Sequence, residues 1–310
     1  MEELPAVLGL SLVAHEASVM RIHLGADAQR RARILPPLLE GRQITCSGIS
    51  EPNVGSDPRS IETRARHEGD SVVVNGTKLW ISNGSISDVI VAVCSLERQK
   101  GGKNLITRVV VERERSPYQA HEVNVIGLRQ GHLSEVIFED CRVPADNVLG
   151  EEGDAHGSLT LTWLANRPLM GLIAVGLAQR ALDACLAYVG VRKQFGRLIG
   201  RFQLVQELLS EMATRIEASR LLCYKALAML DAGVRSNKEA AMAKWFATEN
   251  CLVATSMAMQ IHGASGMTRE VGVERLFRDA RMLTIPDGTT QIQHLIIGKE
   301  LTGMSAYTGA

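Results

Sequence analysis

The residue whose position most suggests a chemical role is a single carboxylate near the C-terminus. Asp287 stands between Pro286 and Gly288 in the stretch IPDGTTQIQHLIIG, directly before an apolar segment. An aspartate in such a place often accepts backbone N–H groups and so starts a turn or caps a helix, and taken alone this structural role is the better supported interpretation. The chemical interpretation is general-base catalysis, in which the carboxylate removes a proton from a substrate.

Two stretches nearer the N-terminus suit a ligand that carries an anionic group or a flat ring. ITCSGISEPNVGSD runs into a loop that offers hydroxyls and backbone N–H groups between Ile49 and Ser56, and such a loop can bind an anion or the polar edge of a heterocycle. In LWISNG, Trp80 offers a flat face and Ser82 a hydroxyl, both on one side of a strand by the period of two. A surface turn and a packed tryptophan would explain the same residues without a ligand.

Two later stretches combine basic, aromatic and glycine residues. VRKQFGRLIGRFQ surrounds Phe195 and Gly196 with arginine and lysine; a basic helix end beside a glycine turn suits a pyrophosphate, and a solvated basic face is the simpler interpretation. QIHGASGMTRE places Gln260 near Gly263, where glycine lets the backbone approach a ligand or ends a helix. His262 has no partner motif, and we interpret it as structural.

The elements that must position these residues follow from the hydrophobic period. Helical spacing from residue 1 to about 39 ends near Pro36-Pro37. From 43 to about 150, short β-branched runs replace it, with Asn75-Gly76 as a hairpin turn and no helices between the runs, which favours sequential antiparallel pairing. The helical period then returns in segments at 158–190, 202–232, 236–262, 270–283 and 288–303.

We therefore predict an α+β multidomain fold. It consists of a partial N-terminal helical region at 1–42, a middle antiparallel β barrel or sandwich domain at 43–152, and a C-terminal helical bundle at 153–310. The bundle is indicated by the apolar residues of 202–232, which share one side of a helix as they do in antiparallel bundles.

Composition excludes several classes of function. Thirty-four Lys and Arg balance 34 Asp and Glu, so the chain has no global basic field to attract nucleic acid or an anionic membrane. The six cysteines are scattered without a C-x-x-C pair, which indicates reduced thiols, with neither a disulfide framework nor a metal site. The start lacks the basic residues and long apolar core of a signal peptide, and we expect no membrane span. We expect a cytoplasmic protein.

The order of the motifs is more specific than any one of them. Along the chain, SEPNVGSD, NGTKLWISNG, FEDCRVPADNVLG, GLAQRALDACLAYVGVRKQFGR, QIHGASGM and RLFRDARMLTIPDGTTQIQ together resemble the acyl-CoA dehydrogenase flavoprotein family. The resemblance extends from Met1 to about Thr302. It implies an N-terminal helical domain, a middle β domain and a C-terminal four-helix bundle, assembled as a homotetramer of paired dimers. The first residues resemble a late helix of the N-terminal domain, so the chain resembles an N-terminally shortened member.

The resemblance also implies a site for FAD. Ile49 and Ser50, with Trp80 and Ser82, would contact the flavin ring, and Ser56 would lie near the pyrophosphate or the acyl thioester. The neighbouring subunit would hold the adenosine diphosphate half through Arg192, Gln194, Phe195, Gln260 and Gly263. Thr289 and Gln291 would contact FAD from the segment after the base. Contacts to the substrate would come from Ser56, Arg167 and Gly288.

Asp287 occupies the position where most of the family places a glutamate, in a motif that usually reads Tyr-Glu-Gly-Thr. There the carboxylate takes the proton from the carbon α to the thioester, and the flavin accepts hydride from the β carbon. Aspartate is one methylene shorter, a difference in reach of about 1.5 Å. The family's other position for the base corresponds to Asn166, which cannot act as a base, so the resemblance implies that Asp287 is the catalytic residue.

Three functions remain open on the sequence. The first is FAD-dependent α,β-dehydrogenation of an acyl thioester, on coenzyme A or on an acyl carrier protein, by a homo-oligomer that passes electrons to an electron-transfer flavoprotein. The second keeps the fold and flavin but oxidises another acidic carbon, as the related nitroalkane-oxidising flavoproteins do, with oxygen as acceptor. The third is a catalytically silent subunit that pairs with a fuller homologue.

Overall fold

The computed structural model describes residues 1–96, 105–153 and 155–306, and the chain forms two compact units. The helical unit comprises Met1–Gly9, Ile126–Leu128 and Leu164–Ala310. The β unit comprises Leu10–Val125 and Arg129–Trp163.

Among the described residues, the β unit contains an eight-stranded sheet. Its strands are β1 Thr45–Gly48, β2 Arg64–Glu68, β3 Ser71–Ile81, β4 Val89–Leu96, β5 Leu105–Glu112, β6 Gln119–Glu122, β7 Ser134–Pro144 and β8 Val148–Leu149. The strand order is β6-β7-β3-β2-β4-β5-β8, and β1 pairs with β4. Valines and isoleucines at alternating positions of β3, β4, β5 and β7 pack together in one apolar core, as the β-branched runs predict.

The predicted sequential antiparallel pairing is correct for β2–β3, β4–β5 and β6–β7, whereas β3–β7 and β5–β8 join strands that are not neighbours in sequence. The pairs β2–β3, β3–β7, β4–β5, β5–β8 and β6–β7 are antiparallel, but β1 and β2 both run parallel to β4. The reason is that the chain continues in one direction along a single edge of β4. β1 pairs with its first half from Val89 to Ala92, an irregular loop follows, and β2 pairs with Ser95 and Leu96.

The predicted hairpin turn at Asn75-Gly76 is also wrong, because both residues lie inside β3. The turn between β2 and β3 is Gly69-Asp70, since Glu68 pairs with Ser71. Gly76 instead marks a shift in the β3–β7 register, and its φ is 143°. A Cβ there would lie 2.7 Å from the Thr63 Cα, so glycine serves a bulge and a close backbone approach.

The predicted N-terminal helical region forms two helices, α1 Ala6–Gly25 and α2 Ala28–Leu39. They are separated at Asp27, whose side chain caps α2 by accepting the Arg30 N–H at 2.8 Å. Within the β unit, Ile22 and Leu38 pack with Val91 of β4 in one apolar cluster. The helical period in this region therefore reflects a face that covers the sheet.

The helices of the C-terminal region match the predicted segments to within a few residues. They are α3 Ala155–Val189, α4 Gln203–Asp231, α5 Asn237–His262, α6 Val273–Leu283 and α7 Thr290–Thr302, with a small hairpin of β9 Lys193–Gln194 and β10 Arg197–Leu198 after α3. α5 packs against α4, α6 and α7, and its buried face is rich in alanine, which allows close helix packing.

One described helix passes the length and hydropathy criteria for a membrane span. Leu159–Val189 of α3 contains a window with a mean hydropathy of 1.5, and 67% of that window is buried inside the protein. The expectation that no stretch is long and apolar enough to approach a membrane span was therefore wrong as regards length and composition. Burial of this kind is typical of the core helix of a bundle, which is apolar because it packs on several sides.

Candidate active site

Asp287 lies in the turn between α6 and α7, and it does not cap α7. The cap is Thr289, whose side chain accepts the Ile292 N–H at 3.4 Å. Asp287 has a φ of 53°, in the left-handed region that aspartate tolerates better than most side chains. Within the described parts of the chain, its half-buried carboxylate accepts no hydrogen bond. The carboxylate is therefore free to accept a proton from a bound molecule.

Two buried side chains hold this turn by its backbone carbonyls. Lys244 of α5 donates from Nζ to Thr284 O and to Gly288 O, both at 2.9 Å. Gln293 of α7 donates from Nε2 to Asp287 O at 3.0 Å and to Gly288 O at 2.9 Å. The sequence analysis missed both residues, although a lysine within the alanine-rich AAMAKWFA stretch was a visible signal.

The cap gives Thr289 a structural role beside the predicted contact with FAD. We expect Thr289→Ala to lower the free energy of unfolding by about 1 kcal/mol, because an N–H at the start of α7 loses its acceptor. Thr289→Ser, which keeps the hydroxyl, is the matched control. Urea unfolding of the two variants without added cofactor measures the effect, and equal stability of the two would contradict a capping role.

The hairpin after α3 brings several predicted nucleotide contacts together. Gln194, Phe195 and Gln260 line one groove of the helical unit with Ile199 and Phe202. Phe195 is 92% exposed and has a φ of 49°, and the next residue, Gly196, has a φ of 76°. Positive φ at both turn residues is the requirement of a tight two-residue hairpin loop, and this loop presents the phenylalanine ring to solvent.

The remaining predicted residues of the helical unit lie at four places. Arg192 is exposed beside the hairpin, and Gly263 ends α5 with a φ of 60°. Gly288 and Gln291 lie in or next to the turn of Asp287. Arg167 is buried in α3, where it donates to Asn237 Oδ1 at 3.1 Å.

The predicted flavin contacts of the β unit lie on the loop after β1 and at the end of β3. The loop and strand are joined because the Leu79 N–H donates to Ser50 O at 2.9 Å. Trp80 is 54% exposed with a φ of 65°, and a register shift lies between Lys78 and Ile81. The period-two argument for Trp80 and Ser82 is therefore wrong, because the strand is bulged at Trp80 and ends before Ser82.

A buried ion pair, which the sequence analysis missed, lies beneath this loop. Lys78 of β3 donates to Glu51 Oε1 at 2.6 Å and to Val93 O at 2.5 Å. The Glu51 carboxylate also accepts the N–H groups of Glu62 and Thr63 at 2.6 and 2.9 Å. Both side chains of the pair are at most 1% exposed. A charged residue within the β-branched run of β3 was the available sequence signal.

Family comparisons agree with this architecture across most of the chain. The model for "Acyl-CoA dehydrogenase, middle domain" matches residues 46–141, and the model for "Acyl-CoA dehydrogenase, C-terminal domain" matches residues 160–302. The chain belongs to the acyl-CoA dehydrogenase family. The members of this family are flavoproteins that carry out FAD-dependent dehydrogenation, and they are oxidoreductases that act on CH–CH bonds.

Individual relatives cover nearly the whole chain. A probable acyl-CoA dehydrogenase of Bacillus subtilis is 39% identical over 285 residues, which are 90% of this chain and 73% of the relative. The solved butyryl-CoA dehydrogenase of Megasphaera elsdenii has a TM-score of 0.91 at 30% identity, over 97% of this chain and 79% of that one. A solved prolyl acyl carrier protein oxidase has a TM-score of 0.90 at 30% identity, over 96% and 76%. The α+β architecture is thus that of acyl-CoA dehydrogenases.

Two exposed aromatic residues of this family member fit the binding of FAD. Trp80 and Phe195 are large aromatic residues in the left-handed region, and both rings are largely exposed. The bulge at Trp80 and the two-residue turn at Phe195 set these φ values, and both leave a large part of an aromatic side chain exposed. A flat ligand that stacks on the rings would account for their exposure. The isoalloxazine and adenine rings of FAD are ligands of this kind.

Proposed function

We propose that this acyl-CoA dehydrogenase homologue removes hydrogen from the α and β carbons of an acyl thioester, with Asp287 as the base. The observation that carries the proposal is the free carboxylate of Asp287 on a turn held from two helices. It stands where the resemblance requires a carboxylate. Pro286 precedes it and Asp287 itself has a left-handed φ, and we propose that this backbone conformation compensates for the shorter side chain.

In the proposed reaction, an Asp287 carboxylate oxygen accepts the proton from the α carbon, and the residue becomes a neutral carboxylic acid. The backbone N–H of Asp287 donates to no acceptor among the described residues, so it is available to the thioester oxygen as negative charge develops there. When bound, FAD supplies the acceptor for the hydride of the β carbon. Ser56, Arg167 and Gly288 are the proposed contacts of the substrate.

We propose that FAD is held by the residues that the family resemblance indicates. In the β unit these are Ile49, Ser50, Ser56, Trp80 and Ser82. In the helical unit they are Arg192, Gln194, Phe195, Gln260, Gly263, Thr289 and Gln291. The exposure of Phe195 and its place in a groove with Gln194 and Gln260 support a nucleotide contact there.

The acyl carrier remains coenzyme A or an acyl carrier protein in this proposal. The Bacillus relative, named as a probable acyl-CoA dehydrogenase, supports coenzyme A, and the solved prolyl acyl carrier protein oxidase supports a carrier protein. We further propose a cytoplasmic homo-oligomer, a dimer or tetramer, that reduces an electron-transfer flavoprotein. The proposed domain boundaries are 1–42, 43–152 and 153–310.

The test is the visible spectrum of the purified protein before and after anaerobic addition of acyl thioesters. We expect a yellow protein that bleaches with at least one member of a panel of straight, branched and cyclic acyl-CoA thioesters and acyl-carrier-protein thioesters. Bleaching only by nitroalkanes, with reoxidation by oxygen, would replace the proposal with the nitroalkane-oxidising alternative. A yellow protein that no candidate bleaches would contradict turnover and favour the silent subunit.

A further inference from the structure

Lys244 is a buried cation that the reaction as described does not use. It is 0% exposed on α5, between the buried residues Ala240, Ala243 and Ala247. Burial among methyl groups lowers the pKa of Lys244 from its ordinary value to about 8. An apolar side chain of similar length would fill the same space without that desolvation, so the ammonium group calls for a role of its own.

The ammonium group connects the two ends of the turn that carries Asp287. Thr284 is the C-cap residue of α6, and Gly288 lies immediately before the N-cap residue of α7. Lys244 Nζ donates to the carbonyls of both at 2.9 Å, so the three residues between them are bracketed by one cation. Hydrogen bonds from a charged donor are stronger than those between neutral groups.

A second donor holds the same turn from α7. Gln293, which is fully buried, donates to Asp287 O and to Gly288 O. The carbonyl of Gly288 is therefore held from two helices, and the peptide of Asp287 is fixed beside it. Asp287 has a φ of 53°, a left-handed conformation that costs energy for residues other than glycine, and hydrogen bonds to the carbonyls of the turn offset that cost.

We propose that Lys244 is a positioning residue for the reaction, which holds the turn so that the Asp287 carboxylate reaches the substrate proton. The inference rests on the proposed function of Asp287. It explains how a base one methylene shorter than glutamate can work: its placement depends on the backbone, and misplacement on the order of 1 Å can cost about a hundredfold in rate.

The charged groups that face Lys244 come from three elements. Asp287 on the turn and Glu249 on α5 raise the pKa of Lys244, and Arg167 on α3 lowers it, all against the larger lowering by burial. Above pH 8 the lysine loses its charge, so its hydrogen bonds to the turn weaken. The rate of proton removal should therefore fall as the pH rises through about 8.

Stability should change in the opposite direction over the same range. An unfolded lysine keeps its proton up to about pH 10.5, whereas the buried amine releases it near pH 8. Between these values the unfolded state binds more protons, so the native state gains stability as the pH rises. A variant without the amine lacks this gain.

The experiment compares the FAD-loaded protein with Lys244→Met and with Lys238→Met, a partly exposed lysine on the same helix. We expect faster amide hydrogen exchange at residues 283–291 in Lys244→Met alone. With a thioester that bleaches the wild type, the limiting rate of flavin reduction should fall about 10- to 100-fold. The fall in rate above pH 8 should disappear from the profile of this variant.

Unchanged exchange in the turn, or a retained alkaline fall in rate, would overturn the proposal. If Lys244→Met does not fold, Lys244→Gln, which is neutral and keeps an amide donor, tests the same pH profile. Failure of the proposed function is distinguishable, because then no thioester bleaches even the wild type while hydrogen exchange still tests the support of the turn. If Lys244→Met bleaches at the wild-type rate with the same profile, the positioning role alone fails.

Discussion

Asp287→Asn is expected to lower the rate of flavin reduction by an acyl thioester about 10²- to 10⁴-fold, the range that general bases contribute. Asparagine has nearly the same shape and occupies left-handed backbone as readily as aspartate, so the turn should persist. The variant cannot accept the α proton. Stopped-flow measurement of flavin bleaching under anaerobic conditions gives the rate, and the absorbance near the flavin maximum gives the FAD content.

The control for this variant is Asp231→Asn, at the exposed end of α4. It makes the same chemical change away from the turn and should leave both rate and FAD content unchanged. If Asp287→Asn reduced its flavin as fast as this control, Asp287 would not be the base. If it lost stability and FAD instead of rate, the role of Asp287 would be structural, as the simplest interpretation of its sequence context suggests.

The position of the proposed base was predictable from the sequence, but the contacts that hold its turn were not. The motif around Asp287 places a carboxylate directly before a helix. The spacing of apolar residues, with a period of 3.6 in helices and of two in strands, locates the helices and most strands. Lys244 and Gln293 act through backbone carbonyls, which carry no sequence signature of their own. The carbonyls that these two side chains bind are determined by how α5 and α7 pack beside the turn.

The errors in the β unit have a similar origin. Asn75-Gly76 is a strong local signal for a hairpin, yet in β3 the glycine accommodates the approach of Thr63 from another segment. The parallel pairing of β1 and β2 with β4 depends on a loop whose path is set by Glu51. Local propensity gives way in both places to contacts between segments distant in sequence.

The buried ion pair below that loop leads to the second large effect. Lys78→Met should lower the free energy of unfolding at pH 7 by about 3–5 kcal/mol, because it leaves the Glu51 carboxylate buried without its cation. The variant should also bind FAD more weakly, since Glu51 directly follows Ser50 and Lys78 lies two residues before Trp80. Urea unfolding and FAD titration measure the two effects.

The pH dependence distinguishes loss of the charge pair from loss of packing. Burial raises the pKa of Glu51, but the charge of Lys78 and the hydrogen bonds from Lys78, Thr63 and Glu62 outweigh it, so the pKa lies below its usual value. The wild type therefore loses stability as the pH falls below about 4.5, because Glu51 takes up a proton in the unfolded chain at a higher pH than in the native protein. In Lys78→Met, burial favours the neutral, protonated form of Glu51. The difference in the free energy of unfolding between the variant and the wild type should therefore become smaller at low pH.

The double variant Glu51→Gln/Lys78→Met provides the final comparison. It removes both charges while keeping an amide at position 51, whose oxygen can accept one of the N–H groups of Glu62 and Thr63. We expect it to be more stable than Lys78→Met at pH 7, because no unpaired charge remains buried. A double variant less stable than Lys78→Met, with a difference in the free energy of unfolding that does not change with pH, would show that shape and packing govern this part of the loop.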